Sequence, residues 1–143
     1  MKHVFIINST ARKHDQERLL RQIRDHFPDA QVLFTQHAGH ERELADQAAC
    51  SCRSIRVYAC GGDGTLHEVV NGLIGHDNAQ LAVIPIGTGN DFVKTFSPIT
   101  PEQFCTLANY QEAEAIPCDV LMIDGQACIN TVSAGLDVNN SEK

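Results

Sequence analysis

The chain has 143 residues, of which 43% are hydrophobic and 20% are charged, and its formal net charge is −7 at pH 7. This length suits one globular domain, and the composition argues against a disordered or fibrous protein. The negative charge argues against a nucleic-acid partner, since binding to a phosphate backbone relies on an excess of Lys and Arg. No apolar run is long enough for a transmembrane segment, and residues 1–10 lack a secretory pattern, so we expect a cytoplasmic protein.

Short β-branched runs alternate with helical patterns along the first part of the chain. The predicted strands are residues 4–7, 32–34, 55–60 and 81–84, and the predicted helices are residues 17–27, 41–49 and 65–74. Such alternation predicts right-handed crossovers and a mainly parallel sheet covered on both faces, a three-layer α/β/α fold.

The pattern changes in the last third of the chain. Pro101 suits the first turn of a short helix that reaches Asn109. Two strands, residues 115–123 and 127–132, flank the turn Asp124-Gly125 and predict a hairpin. Unpaired edges of these strands favour a homodimer.

Six cysteines are present, and we expect reduced, mostly packed thiols. Cys50 and Cys52 form a close pair, but no second pair follows at metal-ligand spacing, so the sequence does not predict a zinc site. His37 and His40 have no third ligand at a recognisable spacing, which favours structural or surface roles.

A glycine-rich segment joins the strand 55–60 to the helix that follows it. Gly61, Gly62 and Gly64 allow the backbone to approach a phosphate closely, and the helix N-terminus directs unpaired N–H groups at it. Asp63 in the same segment would repel a phosphate unless a cation, such as the Mg²⁺ carried by ATP, lies between them. The alternative is a tight turn in which Asp63 or Thr65 caps the helix.

A second glycine-rich segment, residues 87–92, follows the next predicted strand. Two such loops at the carboxyl ends of neighbouring strands favour a ligand site, because open α/β sheets bind ligands there. Neither loop has the Walker A pattern or the G-x-G-x-x-G dinucleotide pattern.

The two segments Gly61–Gly72 and Gly87–Phe92 together resemble the diacylglycerol kinase catalytic domain family, which includes bacterial soluble lipid kinases and sphingosine kinases. The resemblance implies a nucleotide domain over residues 1–130, similar to those of phosphofructokinases and NAD kinases, with ATP and Mg²⁺ as cofactors. It also implies that residues 131–143 begin a β-rich domain that carries the lipid site and the catalytic base. We therefore expect the chain to be the N-terminal part of a longer enzyme.

Further residues match the family pattern. Gly39-His40 with Glu43-Leu44-Ala45 resembles its G-H-A-x-E-L-A stretch, and Gly39 is expected to start a helix. The family's N-P-x-S-G-like loop corresponds to residues 8–12, where the asparagine is kept but the proline and glycine are replaced.

The resemblance implies a nucleotide site and a metal site. The nucleotide-binding residues it implies are Asn8, Ser9, Thr10, Ala11, Arg12, Thr35, Gly61, Gly62, Asp63, Gly64, Thr65, Leu66, His67, Glu68, Gly87, Thr88, Gly89 and Asn90. The residues it implies for Mg²⁺, reached through water, are Asp63, Asp91 and Asp119.

Three of these side chains also have simpler interpretations. Arg12, with its neighbour Lys13, can be a solvated pair at a loop end, and Glu68 can be a surface acid of its helix. Asp119 can be a turn residue at a strand end.

The sequence thus predicts an ATP-dependent lipid kinase that transfers the γ-phosphate to a hydroxyl of diacylglycerol or a similar lipid, with transient contact at a membrane surface. One alternative is a catalytically inactive nucleotide-binding fragment. A less favoured alternative is an enzyme similar to NAD kinases, which the segment 87–92 argues against.

Overall fold

The computed structural model describes residues 1–86, 93, 99–111, 121–123 and 126–128. Four strands and three long helices alternate in the order β1 (Lys2–Ile7), α1 (Lys13–His26), β2 (Gln31–Phe34), α2 (His40–Cys50), β3 (Ile55–Gly61), α3 (Asp63–Leu73) and β4 (Ala79–Pro85). The shorter elements after them are α4 (Pro101–Phe104), a 3-10 helix (Leu107–Tyr110), β5 (Leu121–Ile123) and β6 (Gln126–Cys128).

The first four strands form one parallel sheet in the order β2-β1-β3-β4. In the register of the sheet, Ile7 lies beside Cys60, and Gly61 lies beside Pro85. The carboxyl ends of β1, β3 and β4 therefore lie next to one another at one edge. The connection that follows β1 leads to β2 at one edge of the sheet, and the connection that follows β3 leads to β4 at the other edge. The strand order therefore reverses between β1 and β3.

Helices cover both faces of this sheet, as predicted. Side chains of β1 and β3 alternate between the faces: Val4 and Ile6 pack with α2 and α3, whereas Phe5 and Ile7 pack with α1 and the 3-10 helix. All four are fully buried. Their burial fixes the register, since a slip of one residue would exchange the two faces.

The start of α3 differs from the predicted start at residue 65 and from the capping alternative. The helix begins at Asp63, two residues earlier than predicted, and its N-cap is Gly62, with no hydrogen bond from a capping side chain. The alternative in which Asp63 or Thr65 is the N-cap of this helix is therefore wrong. Gly39 does precede α2 as its N-cap, with a left-handed φ of 81° that favours glycine.

The later elements are confirmed in outline. Pro101 opens α4 behind a capping box of Thr100 and Gln103, but the predicted helix divides into α4 and the 3-10 helix. The antiparallel pairing of β5 with β6 confirms the hairpin. The proposed domain boundary near residue 130 lies outside the described residues, and the predicted homodimer stays a prediction.

Four cysteines have described side chains, and all of them except Cys50 fit the expectation of packed thiols. Cys60 is fully buried, and burial raises the pKa of its thiol. Burial also raises the pKa of Cys105, to about 11. Cys50, at the end of α2, is exposed.

No helix within the described residues combines the length and the apolar character that crossing a lipid bilayer requires.

Candidate functional site

A cleft of about 370 Å³ lies at the edge where β1 and β3 end. This is the point at which the strand order reverses, the usual ligand position in open α/β sheets. Two segments far apart in the sequence form most of its wall. The lining residues are Asn8, Thr10, Ala11, Arg12, Gly61, Gly62, Asp63, Gly64, Thr65 and Ile86.

Gly61 allows the two segments to approach each other. A Cβ atom placed on Gly61 would lie 2.8 Å from the Cβ of Thr65 and 3.2 Å from the Cβ of Asn8, and it would also overlap the Thr65 hydroxyl. Gly64, in contrast, has no atom within 4 Å of such a Cβ. The glycine at position 61 is therefore required by packing, whereas Gly64 borders open space.

Asn8 connects the loop after β1 to α3. Its side-chain nitrogen donates to the hydroxyl of Thr65 over 3.2 Å, and its side-chain oxygen accepts from the backbone N–H and the hydroxyl of Thr10 over 2.9 and 2.8 Å. Its backbone N–H donates to the carbonyl of Cys60. Asn8 thus holds the loop after β1 against the start of α3.

Glu41, in the first turn of α2, completes this network. The Thr65 hydroxyl donates to Glu41 Oε2 over 3.1 Å, and both residues are buried, with exposed fractions of 3% and 6%. Since the Thr65 proton points to Glu41, its oxygen is left to accept from Asn8. The side chain of Thr65 therefore supports the cleft wall, and its backbone N–H is the donor left for a ligand.

The N-terminus of α3 borders the cleft. The first intrahelical bond of this helix runs from Leu66 N–H to Gly62 C=O at 3.1 Å. The backbone N–H groups of Gly64 and Thr65 precede that bond and have no acceptor within the helix. Together with the positive end of the helix dipole, they favour an anion at this position.

The donor set of the cleft is compatible with Mg²⁺ that is carried by a phosphate. Asp63 is half-buried and lines the cleft beside the α3 N-terminus. Mg²⁺ in nucleotide sites typically uses one or two carboxylates and keeps several waters. The other two predicted metal residues, Asp91 and Asp119, lie outside the described residues.

Arg12 lies at the rim of the cleft. Its side chain is 83% exposed and is paired with Asp15, with 3.1 Å between Arg12 Nε and Asp15 Oδ2. Such an exposed pair is weak, so the guanidinium can turn toward a phosphate at little cost.

Ser9 and Thr35 brace the ends of β1 and β2. The Ser9 hydroxyl donates to the Thr35 carbonyl over 2.6 Å, and the Ser9 backbone N–H donates to the Thr35 hydroxyl over 3.1 Å. Thr35 N–H donates to Ile7 C=O. Neither residue lines the cleft, so their predicted contact with nucleotide stays a prediction.

The remaining predicted residues on α3 lie away from the cleft wall. Leu66 packs in the core with an exposed fraction of 2%, and Glu68 accepts from Arg42 Nε over 3.0 Å. His67 is half-buried on the same helix. Gly87, Thr88, Gly89 and Asn90 lie outside the described residues, so their predicted roles remain untested.

Sequence reasoning missed two residues of this region, Glu41 and Ile86. Glu41 precedes the buried Ala45 and Ala48 by four and seven residues, which is the spacing of one helix face, and this signal could have placed it on the buried side of α2. Ile86 follows β4 and lines the cleft from the far side. Only the packing of α2 against α3 shows that the partner of Glu41 is Thr65.

Comparison with known proteins assigns the chain to a family. The sequence matches the diacylglycerol kinase catalytic domain over residues 2–123. The chain belongs to the diacylglycerol kinase catalytic domain family. The resemblance of Gly61–Gly72 and Gly87–Phe92 therefore predicted the family correctly.

Two members of this family show the extent of the match. A Bacillus subtilis protein named diacylglycerol kinase is 33% identical over 141 residues, which cover 94% of this chain and 46% of that protein. A crystal structure described as a diacylglycerol kinase from Bacillus anthracis superposes with a TM-score of 0.68 at 30% identity, covering 88% of this chain and 47% of that chain. The chain thus spans less than half the length of these two relatives.

Substitution of Gly61 tests the packing of the cleft wall. We expect Gly61→Ala to destabilise the protein by about 1–3 kcal/mol, because the added methyl group has no room beside Thr65 and Asn8. Gly64→Ala is the matched control, and we expect it to be neutral or slightly stabilising. Urea unfolding of both variants measures the difference, and equal stabilities would contradict the packing described for Gly61.

A double-mutant cycle tests the hydrogen bond between Thr65 and Glu41. Thr65→Val should cost about 1–3 kcal/mol, because it leaves a buried carboxylate without that partner. In combination with Glu41→Ala the two costs should not add, with a coupling energy of at least about 0.5 kcal/mol. Thr65→Val combined with Glu43→Ala, an exposed position on the same helix, should be additive. Additivity in both pairs would show that the bond contributes nothing.

Proposed function

We propose that the protein is an ATP-dependent lipid kinase and that this chain forms its ATP-binding part. The observation that carries the proposal is the cleft at the reversal of strand order, which combines the N-terminus of α3 with the close approach of residues 8–12 and 61–65. Family membership supports transfer of a phosphoryl group.

In this proposal the triphosphate of ATP lies in the cleft. The N–H groups of Gly64 and Thr65 donate to phosphate oxygens, and the absent side chain at Gly64 leaves room for them. Arg12, at the rim, supplies a positive charge. Phosphoryl transfer depends mainly on such positioning and charge neutralisation.

Mg²⁺ would supply the positive charge between the phosphates and Asp63. Asp63 would hold the ion directly or through water, with Asp91 and Asp119 as further proposed contributors. The half-buried position of Asp63 strengthens its interaction with the ion relative to a fully solvated carboxylate.

The phosphoryl acceptor is proposed to be a hydroxyl of diacylglycerol or a similar lipid, reached by transient contact with a membrane surface from the cytoplasm. Recognition of the lipid and the catalytic base are proposed for the part of the enzyme that corresponds to the second half of its relatives. The chain covers 46% of the Bacillus subtilis diacylglycerol kinase.

The cleft lining offers contacts for a phosphate and a cation, which also fits a second candidate function, in which the chain binds ATP without transferring phosphate to lipid. Incubation of the protein with radiolabelled ATP, mixed micelles of diacylglycerol, and NAD distinguishes the candidates. Label in the lipid supports the lipid kinase, and label in NAD supports an activity similar to that of NAD kinases. Bound ATP without either labelled product supports the second candidate.

The role of Asp63 gives the sharpest test of the ATP site. For the unchanged protein we expect Mg²⁺ to strengthen ATP binding. Asp63→Asn should weaken binding of Mg²⁺-ATP by about tenfold or more, since a charge-assisted contact is worth about 1.5–3 kcal/mol. Without Mg²⁺ the same variant should bind ATP more tightly than the unchanged protein, because the repulsion between two anions is removed.

Asp25→Asn is the control, since Asp25 is exposed near the end of α1 at the opposite edge of the sheet. Its affinities should equal those of the unchanged protein in both conditions. Isothermal titration calorimetry with Mg²⁺ and with a chelator measures all of them. An Asp63→Asn variant that responds to Mg²⁺ as the unchanged protein does would refute the proposed role.

A further inference from the structure

A second group of polar side chains lies at the C-terminal end of α2, away from the cleft. Asp46 and Cys50 are four residues apart on this helix and therefore share one face of it. His76, from the loop between α3 and β4, meets them there, and its Nε2 lies 2.7 Å from Asp46 Oδ1. One potential ligand atom from each residue lies within 4.8 Å of the others.

The loop that carries His76 is held in place by the backbone. Gly75 has a φ of 88°, a left-handed value that favours glycine and turns the chain after α3. The His76 backbone N–H then donates to the Leu73 carbonyl over 3.0 Å. Asn78 donates to the carbonyls of Ala49 and Cys52 over 2.8 and 2.7 Å, which fastens the loop to the end of α2.

Close packing of α2 on α3 supports the same arrangement. A Cβ placed on Gly72 would overlap the Arg42 carbonyl and would lie 2.8 Å from the Ala45 Cβ. The two helices approach this closely because one of them has no side chain at the contact. The position of His76 over α2 is therefore fixed by the fold as well as by the contact with Asp46.

From this geometry we propose that Asp46, Cys50 and His76 form a binding site for a zinc-class divalent cation. A thiolate, an imidazole nitrogen and a carboxylate oxygen form a donor set that suits Zn²⁺, whereas Mg²⁺ and Ca²⁺ prefer oxygen ligands. In a tetrahedral site with metal–ligand distances of ~2.0–2.3 Å, neighbouring ligand atoms lie ~3.3–3.8 Å apart. The Asp46 side chain is exposed, so it can move until its carboxylate oxygen reaches that distance from His76 Nε2.

Charge and protons balance in this step. The ion binds to the Asp46 carboxylate, to the Cys50 sulfur, which releases its proton to solvent, and to Nε2 of neutral His76, whose proton then resides on Nδ1. The resulting site has one cation of charge +2 and two anionic ligands. Three protein ligands leave a fourth position for water.

A separate group at the N-terminal end of α2, formed by His37, His40 and Glu43, is less suited to a metal ion. His40 Nδ1 accepts a hydrogen bond from the Gln36 backbone N–H over 3.0 Å, so Nε2 of the neutral ring carries the proton. The two imidazole rings are stacked, with centroids 4.5 Å apart. His37 therefore serves as a control position for binding at Cys50.

The test uses Co²⁺ as a spectroscopic substitute for Zn²⁺, with a reductant that does not bind metal. We expect a thiolate-to-Co²⁺ charge-transfer band at one ion per chain, and loss of this band when Zn²⁺ is added. Cys50→Ser should abolish the band. His76→Gln should lower Zn²⁺ affinity by at least ~100-fold in competition with a chelating dye, since loss of an outer-sphere partner alone costs 10–100-fold.

Two matched variants should keep the band and the affinity: Cys52→Ser, which removes the nearby half-buried thiol, and His37→Gln, which removes an imidazole at the other end of α2. The proposal is overturned if no charge-transfer band forms, if Cys52→Ser or His37→Gln removes it, or if one ion binds per two chains. Circular dichroism checks that each variant is folded. The measurement needs no nucleotide, so its outcome is independent of the proposed ATP site.

Discussion

The close approach of Gly61 to Asn8 and Thr65 is the constraint on which the site depends. It joins the ends of the two central strands, which the parallel register has already placed side by side. Because the connections that follow these two strands run in opposite directions across the sheet, a cleft opens between the loops that begin them. The sheet sets the position of the cleft, and the absence of a side chain at Gly61 allows its two loops to approach each other.

The hydrogen bonds behind the cleft give its wall a defined polarity. Glu41 accepts the Thr65 proton, Thr65 accepts from Asn8, and Asn8 accepts from Thr10, so each donor in the series has one acceptor. A buried carboxylate is costly unless it is satisfied, which makes this series specific to one arrangement of α2, α3 and the loop after β1. The outer surface of the wall is left with backbone N–H groups and Asp63, a combination that suits a phosphate with a bound cation.

The fold was predictable from the sequence because its strongest signals are local. Strand and helix periodicity gave the order of the elements, and the glycine segment between β3 and α3 gave the position of the cleft. The precise start of α3 was not predictable, since Gly62 serves as N-cap where side-chain rules favour Asp63 or Thr65. The contacts of Glu41 and His76 were missed for a different reason. Their partners, Thr65 and Asp46, lie on other elements, so the spacing of residues along the chain does not indicate these contacts. The same reason explains why spacing alone gave no metal site at Cys50.

The central claim, that a nucleotide binds where β1 and β3 end, is tested most directly by backbone amide NMR during titration with Mg²⁺-ATP. The account predicts that the largest shift changes occur in residues 8–12 and 61–65, with little change in residues 26–30 at the opposite edge of the sheet. A second cavity of about 400 Å³ lies at that opposite edge, lined by residues including Lys2, His3 and Phe27. Shift changes concentrated there, with none in residues 61–65, would contradict the account.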